Sequence, residues 1–213
     1  MSSSLPDTTG AANAHPPGAS GTGHQDPQRR ERIIDSTLAV IAGEGVRQTS
    51  LRKIAHHARV PLGSITYYFA GRDELMAEAF KKFTSLSAAE FAAAFDGVAS
   101  LSDARSALCK ALSSAATTDP QAIALSIEMY ALSLRSPRYR AIFQRWLRLC
   151  RQAMAQYFDQ QTVLIIDALY EGFLIHRFFE TDTHDAALVR SAVERLTPPE
   201  SFIHPHAGGS AGG

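Results

Sequence analysis

Residues 49–75, TSLRKIAHHARVPLGSITYYFAGRDEL, decide the fold. Thr49 or Ser50 is available as an N-cap, and Leu51, Ile54, Ala55 and Ala58 recur at the spacing that lines one helical face. After the break Arg59-Val60-Pro61 a second helix can start, because proline at a first helical position leaves no N–H unsatisfied. Leu62, Ile65 and Phe69 then form an inward stripe, which puts Gly63, Ser64, Thr66, Tyr67 and Tyr68 on the other faces. That polar surface argues against a membrane-seeking segment, and buried tyrosine hydroxyls would need partners on every side. The preceding QRRERIIDSTLAVIAGEG, residues 28–45, places Ile33, Ile34, Leu38 and Ile41 on one stripe and stops at Gly43 and Gly45. Three short helices with a tight break between the last two match a helix-turn-helix, whose final helix enters the DNA major groove and can meet phosphates or base edges.

Charge placement agrees with a nucleic-acid partner although the total does not demand one. The 213 residues carry 21 Lys and Arg against 21 Asp and Glu, with 45% apolar and 20% charged residues, as in an ordinary globular protein. Within 28–75, however, Arg29, Arg30, Arg32, Arg47, Arg52, Lys53, Arg59 and Arg72 outnumber Glu31, Asp35, Glu44, Asp73 and Glu74. No apolar run reaches membrane-span length and no signal-peptide pattern opens the chain, so a cytoplasmic location is expected. Cys109 and Cys150 lack metal or redox spacing and read as small buried hydrophobes.

Outside the head, apolar residues keep the spacing of three and four, which predicts an all-α chain of about nine helices. Breaks are expected near Ser100–Ser102, Thr118–Pro120, Ser136–Pro137, Phe158–Asp159 and Thr181–Thr183. Residues 1–27 are rich in Ser, Gly, Pro and Ala and read as a disordered arm; residues 198–213, with His204 and His206, read as a flexible tail. VLIIDALYEGFLIHRFF, residues 163–179, is apolar on nearly all sides and should be buried against several neighbours, with a two-fold partner able to provide some of the cover. DAALVRSAVERL, residues 185–196, offers Ala187, Leu188, Ser191, Ala192 and Leu196 as a small-residue face for close helix packing.

The stretch TSLRKIAHHARVPLGSITYYFAGRDEL, preceded by RRERIIDSTLAVIAGEGVRQ, resembles the DNA-binding domain of the TetR family of transcriptional regulators. With DPQRRERII, YALSLRSP and IDALYEGFLIH added, the chain further resembles the RcdA-type branch of that family, regulators linked to biofilm and stress genes. The resemblance implies a helix-turn-helix DNA-binding domain at 28–75 and a helical effector-binding and dimerisation domain at 76–197. It implies a homodimer joined through the last two helices, a two-fold symmetric double-stranded operator, repression as the usual outcome, and a small-molecule effector. By motif position it places Arg52 at a base edge, Thr49, Ser50, Tyr68 and Arg72 on phosphates, and Leu62, Gly63, Ser64, Thr66 and Tyr67 at the groove. This chain departs from the family at Arg59, where glycine is usual. A positive φ there costs an arginine of order 1 kcal/mol.

Candidate effector contacts are Glu128, Trp146, Cys150, Asp167, Tyr170, Glu171 and His176. Asp167 and Glu171, one turn apart in an apolar helix, either anchor a ligand or pair with arginines; Glu128 faces the same choice, with Arg135 two turns on. Trp146, Cys150, Met154 and Tyr157 share a helical face that suits either core or pocket. No catalytic residues, metal site or cofactor are expected: paired Glu-x-x-His motifs, a phosphate loop and a nucleophile elbow are all missing from the sequence. An enzyme in a helical bundle and a protein-binding helical adaptor are the rival readings, and neither would select DNA by sequence. If Arg52 reads a base edge, Arg52→Ala should lose discrimination at one base pair while keeping affinity for non-specific DNA, as measured by binding to a set of singly substituted duplexes.

Overall fold

The structure, a computed structural model, describes residues 27–179 and 185–203. The expected arm before Pro27, the break at Thr181–Thr183 and the tail from His204 onward, including His206, lie outside the described residues. The described residues form ten α-helices, a 3-10 turn and a single isolated bridge, Phe158 to Phe202, with no strand. The helices are α1 (Pro27–Gln48), α2 (Leu51–Ala58), α3 (Leu62–Tyr68), α4 (Arg72–Ala93), α5 (Leu101–Leu112), α6 (Ala115–Thr118), α7 (Pro120–Arg135), α8 (Pro137–Met154), α9 (Gln160–Phe179) and α10 (Ala186–Leu196).

The first helix is long rather than short. α1 runs for 22 residues and bends at Gly45, whose φ of 78° and ψ of 162° interrupt the helical ladder before Val46–Gln48 resume it. The glycine stop read from the sequence is therefore a kink. Ser50 caps α2 by accepting from the Lys53 N–H, while Thr49 is buried and donates its hydroxyl to the Gly45 carbonyl. Pro61 sits at the N-cap of α3, one position earlier than the first helical turn expected for it.

Three apolar cores stack along the molecule. The head core joins Ile33 and Ile34 of α1, Ile54 of α2, Ile65 of α3 with the adjoining Phe69, and Leu75 and Ala79 of α4. A middle core joins Ile41 and Val46 of α1 and Met76 and Phe80 of α4 to Leu125 and Met129 of α7 and Tyr139 and Ile142 of α8. The bundle core takes Phe91 of α4, Leu108 and Leu112 of α5, Met154 of α8, Ile166 and Phe173 of α9, and Val189 and Val193 of α10. α4 contributes to all three, so it crosses the expected domain boundary at residue 75 without a break.

Two expectations need correction, and a third, the burial of residues 163–179, is met on one side within the chain. Leu62 is 41% exposed and takes no part in the inward stripe, because a helix starting at Leu62 turns its first residue out while Ile65 and Phe69 face the head core. α9 is covered on one side only: Val163, Ile166, Phe173 and Leu174 are buried, while Leu164, Ile165, Ile175, Phe178 and Phe179 are exposed. Residues 198–203 belong to the folded body rather than a flexible tail. The Ile203 N–H donates to the Tyr157 carbonyl at 2.8 Å, the Asp159 N–H donates to the Ser201 carbonyl at 2.9 Å, and the Phe202 ring packs edge-on against Phe158.

The turn between α2 and α3 settles the conformation of Arg59. Its φ is 54° and its ψ 48°, the left-handed region, with its own N–H donating to the His56 carbonyl and the Val60 N–H to the Ala55 carbonyl. This pair of bonds is the Schellman ending of a helix, a position that favours glycine. Arg59→Gly should raise the midpoint of urea unfolding by the equivalent of about 1 kcal/mol, while Arg59→Ala, which keeps the Cβ, should leave it nearly unchanged.

Candidate functional site

The head presents one exposed face built from α2 and α3. Ile65 and Phe69 anchor α3 from below, and Leu62, Gly63, Thr66 and Tyr67 point outward, with Tyr67 57% exposed. Ser64 is half-buried, as is Tyr68, which packs beside the head core with the Tyr67 ring edge-on at 5.0 Å. Arg52 and Ser50 are exposed at the start of α2, and Arg59 is exposed at its end. Part of the basic character is spent internally. Arg30 pairs with Glu78 at 3.0 Å and lies over the Phe69 ring, Lys82 pairs with Glu31 and Asp35, and Lys53 pairs with Glu44.

Two residues assigned to phosphate by motif position are held elsewhere. Thr49 is only 2% exposed and its hydroxyl is bonded to Gly45, so it supports the α1–α2 junction from inside. Arg72 donates its Nε–H to the Thr49 carbonyl at 2.7 Å and an Nη–H to the Val46 carbonyl. Its guanidinium thus closes the open carbonyls at the end of α1, where a cation is favourable, and ties them to the first residue of α4.

The same junction receives Glu128. Its carboxylate accepts from the Val46 N–H at 3.2 Å, the donor that the Gly45 kink releases from the α1 ladder. Glu128 lies outside the crevice wall in the bundle core, and no ion pair joins it to Arg135 among the described residues; it is the point at which α7 grips the head. A side chain at position 45 would start 2.7 Å from Glu128 Oε1, so glycine is needed there for both backbone angle and close approach.

A second candidate region lies in the bundle, between α4, α5, α8 and α9. Phe91, Leu108, Leu112, Trp146, Leu147, Cys150, Met154, Ile166, Asp167, Tyr170 and Glu171 line a crevice of about 10 Å³, room for about one water molecule. Trp146, Cys150, Asp167, Tyr170 and Glu171, singled out from the sequence, lie together in this wall. His176 does not: it is exposed near the end of α9. Tyr157 stacks on Phe95 at 5.7 Å, outside the wall.

The wall is electrostatically uneven. Asp167 accepts two bonds from the Arg151 guanidinium, at 3.0 and 2.6 Å, and so takes the ion-pair option left open by the sequence. Glu171 accepts from the Tyr130 hydroxyl instead. Burial, reinforced by the charge of Asp167, pushes the Glu171 carboxyl up to about 7 against the pull of Tyr130 and Arg151. Burial also raises Tyr130 and Tyr170 and pushes the Cys150 thiol up to about 12, which keeps that thiol protonated. Tyr130 was not singled out from the sequence; its position two residues after Glu128 on α7 was the available signal.

Comparison with known proteins matches the two halves separately. Residues 33–79 match the model described as bacterial regulatory proteins, tetR family, and residues 96–199 match the tetracyclin repressor-like C-terminal domain. The HTH-type transcriptional regulator BetI 2 of Chromohalobacter salexigens is 39% identical over 51 residues, 24% of this chain and 25% of that protein. The match thus spans about a quarter of that curated relative. Among solved structures, the transcriptional regulator SCO7518 of Streptomyces coelicolor A3(2) is 38% identical with a TM-score of 0.72, over 80% of this chain and 99% of that one. The multidrug binding protein EbrR, complexed with imidazole, is 30% identical with a TM-score of 0.67, over 87% of this chain and 98% of that one.

The geometry of Arg72 gives a prediction distinct from a phosphate contact. Removing a charged donor from two backbone carbonyls costs about 2 kcal/mol, so Arg72→Ala should lower the urea midpoint accordingly. Arg72→Lys, which keeps the charge but loses the two-point fork, should weaken operator binding nearly as much as Arg72→Ala; full recovery by lysine would restore the phosphate role.

Proposed function

The chain belongs to the TetR family of bacterial regulatory proteins, and from that premise we propose that it works as a homodimeric, sequence-specific DNA-binding regulator. A small molecule held in the bundle cavity sets its affinity for a two-fold symmetric operator. The observation that carries the DNA part is the anchoring of α3: Ile65 and Phe69 are fixed in the head core, so Gly63, Thr66 and Tyr67 stand outward on a rigid helix. Arg52 serves as the base reader, and Ser50 and Tyr68 as phosphate contacts beside it. The carry-over of biofilm and stress genes as targets rests on the RcdA-type resemblance alone.

The exposed side of α9 supports the homodimer. Leu164, Ile165, Ile175, Phe178 and Phe179, the last 72% exposed, form an apolar face that continues into Leu188 on α10. A second copy related by a two-fold axis would cover it, and a pair of heads would then read two half-sites.

The effector part draws support from the cavity and from EbrR, which is described as a multidrug binding protein. α7 supplies the route from cavity to head. Tyr130 reaches Glu171 in the cavity wall, and two residues earlier Glu128 holds Val46 at the α1 kink. A ligand that parts α8 from α9 acts on α7 through Tyr130, and α7 acts on α1 and, through Arg72, on the start of α4. Its effect on operator affinity is limited to its own preference for one arrangement, about 1–3 kcal/mol in typical cases.

Selection of bound duplexes from a randomised pool by the purified chain tests this. Enrichment of a two-fold symmetric site bound by two copies is the expected result. No enrichment, both alone and with small-molecule extract added, would favour the protein-binding adaptor instead.

A further inference from the structure

The two carboxylates of the cavity wall differ in one respect that defines a ligand. Asp167 is neutralised by Arg151 through two hydrogen bonds to the same oxygen. Glu171, one turn on, has the neutral Tyr130 hydroxyl as its partner, and among the described residues no Lys, Arg or His nitrogen forms an ion pair with it. A carboxylate in an apolar wall without a cation is unfavourable, and a ligand that brings a positive charge removes the penalty. Around it stand three rings, Phe91, Trp146 and Tyr170, with Phe91 and Tyr170 edge-to-face at 5.8 Å. The Trp146 side chain is 3% exposed, and its indole N–H has no hydrogen-bond acceptor among the described residues. A π face laid against it would supply one. The space between these side chains holds about one water molecule, so a larger ligand has to part α8 from α9 to enter, and the rings of Phe91, Trp146 and Tyr170 are the faces it would meet.

We infer that the ligand of this cavity is a flat aromatic cation whose positive centre is met by the Glu171 carboxylate, displacing Tyr130 from it. The inference rests on the reading of the cavity as the effector site. Cation binding favours the ionised carboxylate, so Glu171 releases its proton to solvent as the complex forms. Of the other groups facing it, Tyr130 and Tyr170 are raised and Cys150 is pushed up to about 12, so these three stay protonated over the relevant range, and Asp167 is bonded to Arg151. With Glu171 held at about 7 in the free protein, affinity for a fixed cation should rise as pH increases toward that value and level off above it.

The test uses the full chain and a matched pair of probes, N-methylacridinium, permanently charged, and acridine, neutral in mildly alkaline buffer. Trp146 is the only tryptophan, so its emission reports directly from the cavity wall. At about pH 8 the cation should bind about tenfold or more tightly than acridine, and Glu171→Gln should erase that preference while leaving acridine affinity within about twofold. In the unaltered chain, affinity for N-methylacridinium should fall up to about tenfold for each pH unit below 7. Equal binding of both probes, unaffected by pH and by Glu171→Gln, would overturn the cation while leaving the cavity as a ligand site. Loss of Trp146 response to both probes would overturn the cation and the effector-site reading together.

Discussion

The structure hangs on a kink. At Gly45 the ladder of α1 breaks, and the backbone groups it frees have to find partners inside the protein, because an unpaired buried N–H or carbonyl costs as much as a lost hydrogen bond. The partners come from three directions. Glu128 of α7 takes the Val46 N–H, Arg72 of α4 takes the Val46 and Thr49 carbonyls, and the Thr49 hydroxyl takes the Gly45 carbonyl. A local backbone requirement is thereby converted into a joint between the head and the bundle, made of one anion, one cation and one buried hydroxyl.

That joint lies beside the middle core, where α1 and α4 of the head meet α7 and α8 of the bundle. Apolar packing there fixes the two parts side by side but has little angular preference. The polar contacts are directional: Glu128 fixes the end of α1 to α7, and Arg72 fixes it to α4. A small rotation of α7 would strain the Glu128 contact first. The helix that can deliver such a rotation is α7 itself, since Tyr130 is bonded across to α9 in the cavity wall. The crevice wall and the head are thus linked through one helix with polar contacts to both, a physical route rather than spatial intermediacy.

How much of this was legible in the sequence depends on whether a side chain's role is set by periodicity or by a distant partner. The head could be read because its signals are local: apolar spacing over Ile54 and Ile65, the Ser50 cap, and the glycine-type turn at Arg59, whose positive φ follows from its place between two short helices. Trp146, Cys150, Asp167, Tyr170 and Glu171 could be grouped because helical spacing on α8 and α9 put them on facing surfaces. What failed was partner choice across long separations. Arg72 bonds carbonyls 23 and 26 positions earlier, and Glu128 bonds a backbone N–H 82 positions away. Nothing in the spacing of either residue encodes that. Which face of α9 is left outward was not legible for a related reason: an all-round apolar helix looks the same in sequence whether its cover comes from its own chain or from another.

Asp167 and Glu171 show how one helix can hold two carboxylates in opposite electrostatic surroundings. They lie one turn apart on the same face, and only the reach of Arg151 separates their fates. With its charge matched at close range, Asp167 holds α8 against α9. Glu171 lies beyond that guanidinium's hydrogen-bonding reach and has a phenol for company, so its carboxyl sits at about 7, well above an ordinary carboxylate. The sign of the consequence follows: a group that holds its proton more tightly when folded favours folding at low pH and opposes it increasingly as pH rises toward 7. Above that value the folded chain carries a buried, unmatched charge. A sequence selected for stability alone would place leucine or methionine there, as an apolar side chain of similar volume fills such a site without the penalty. A glutamate beside the rings of Phe91, Trp146 and Tyr170, with a phenol as its partner, is a local disadvantage that a charge supplied from outside would remove.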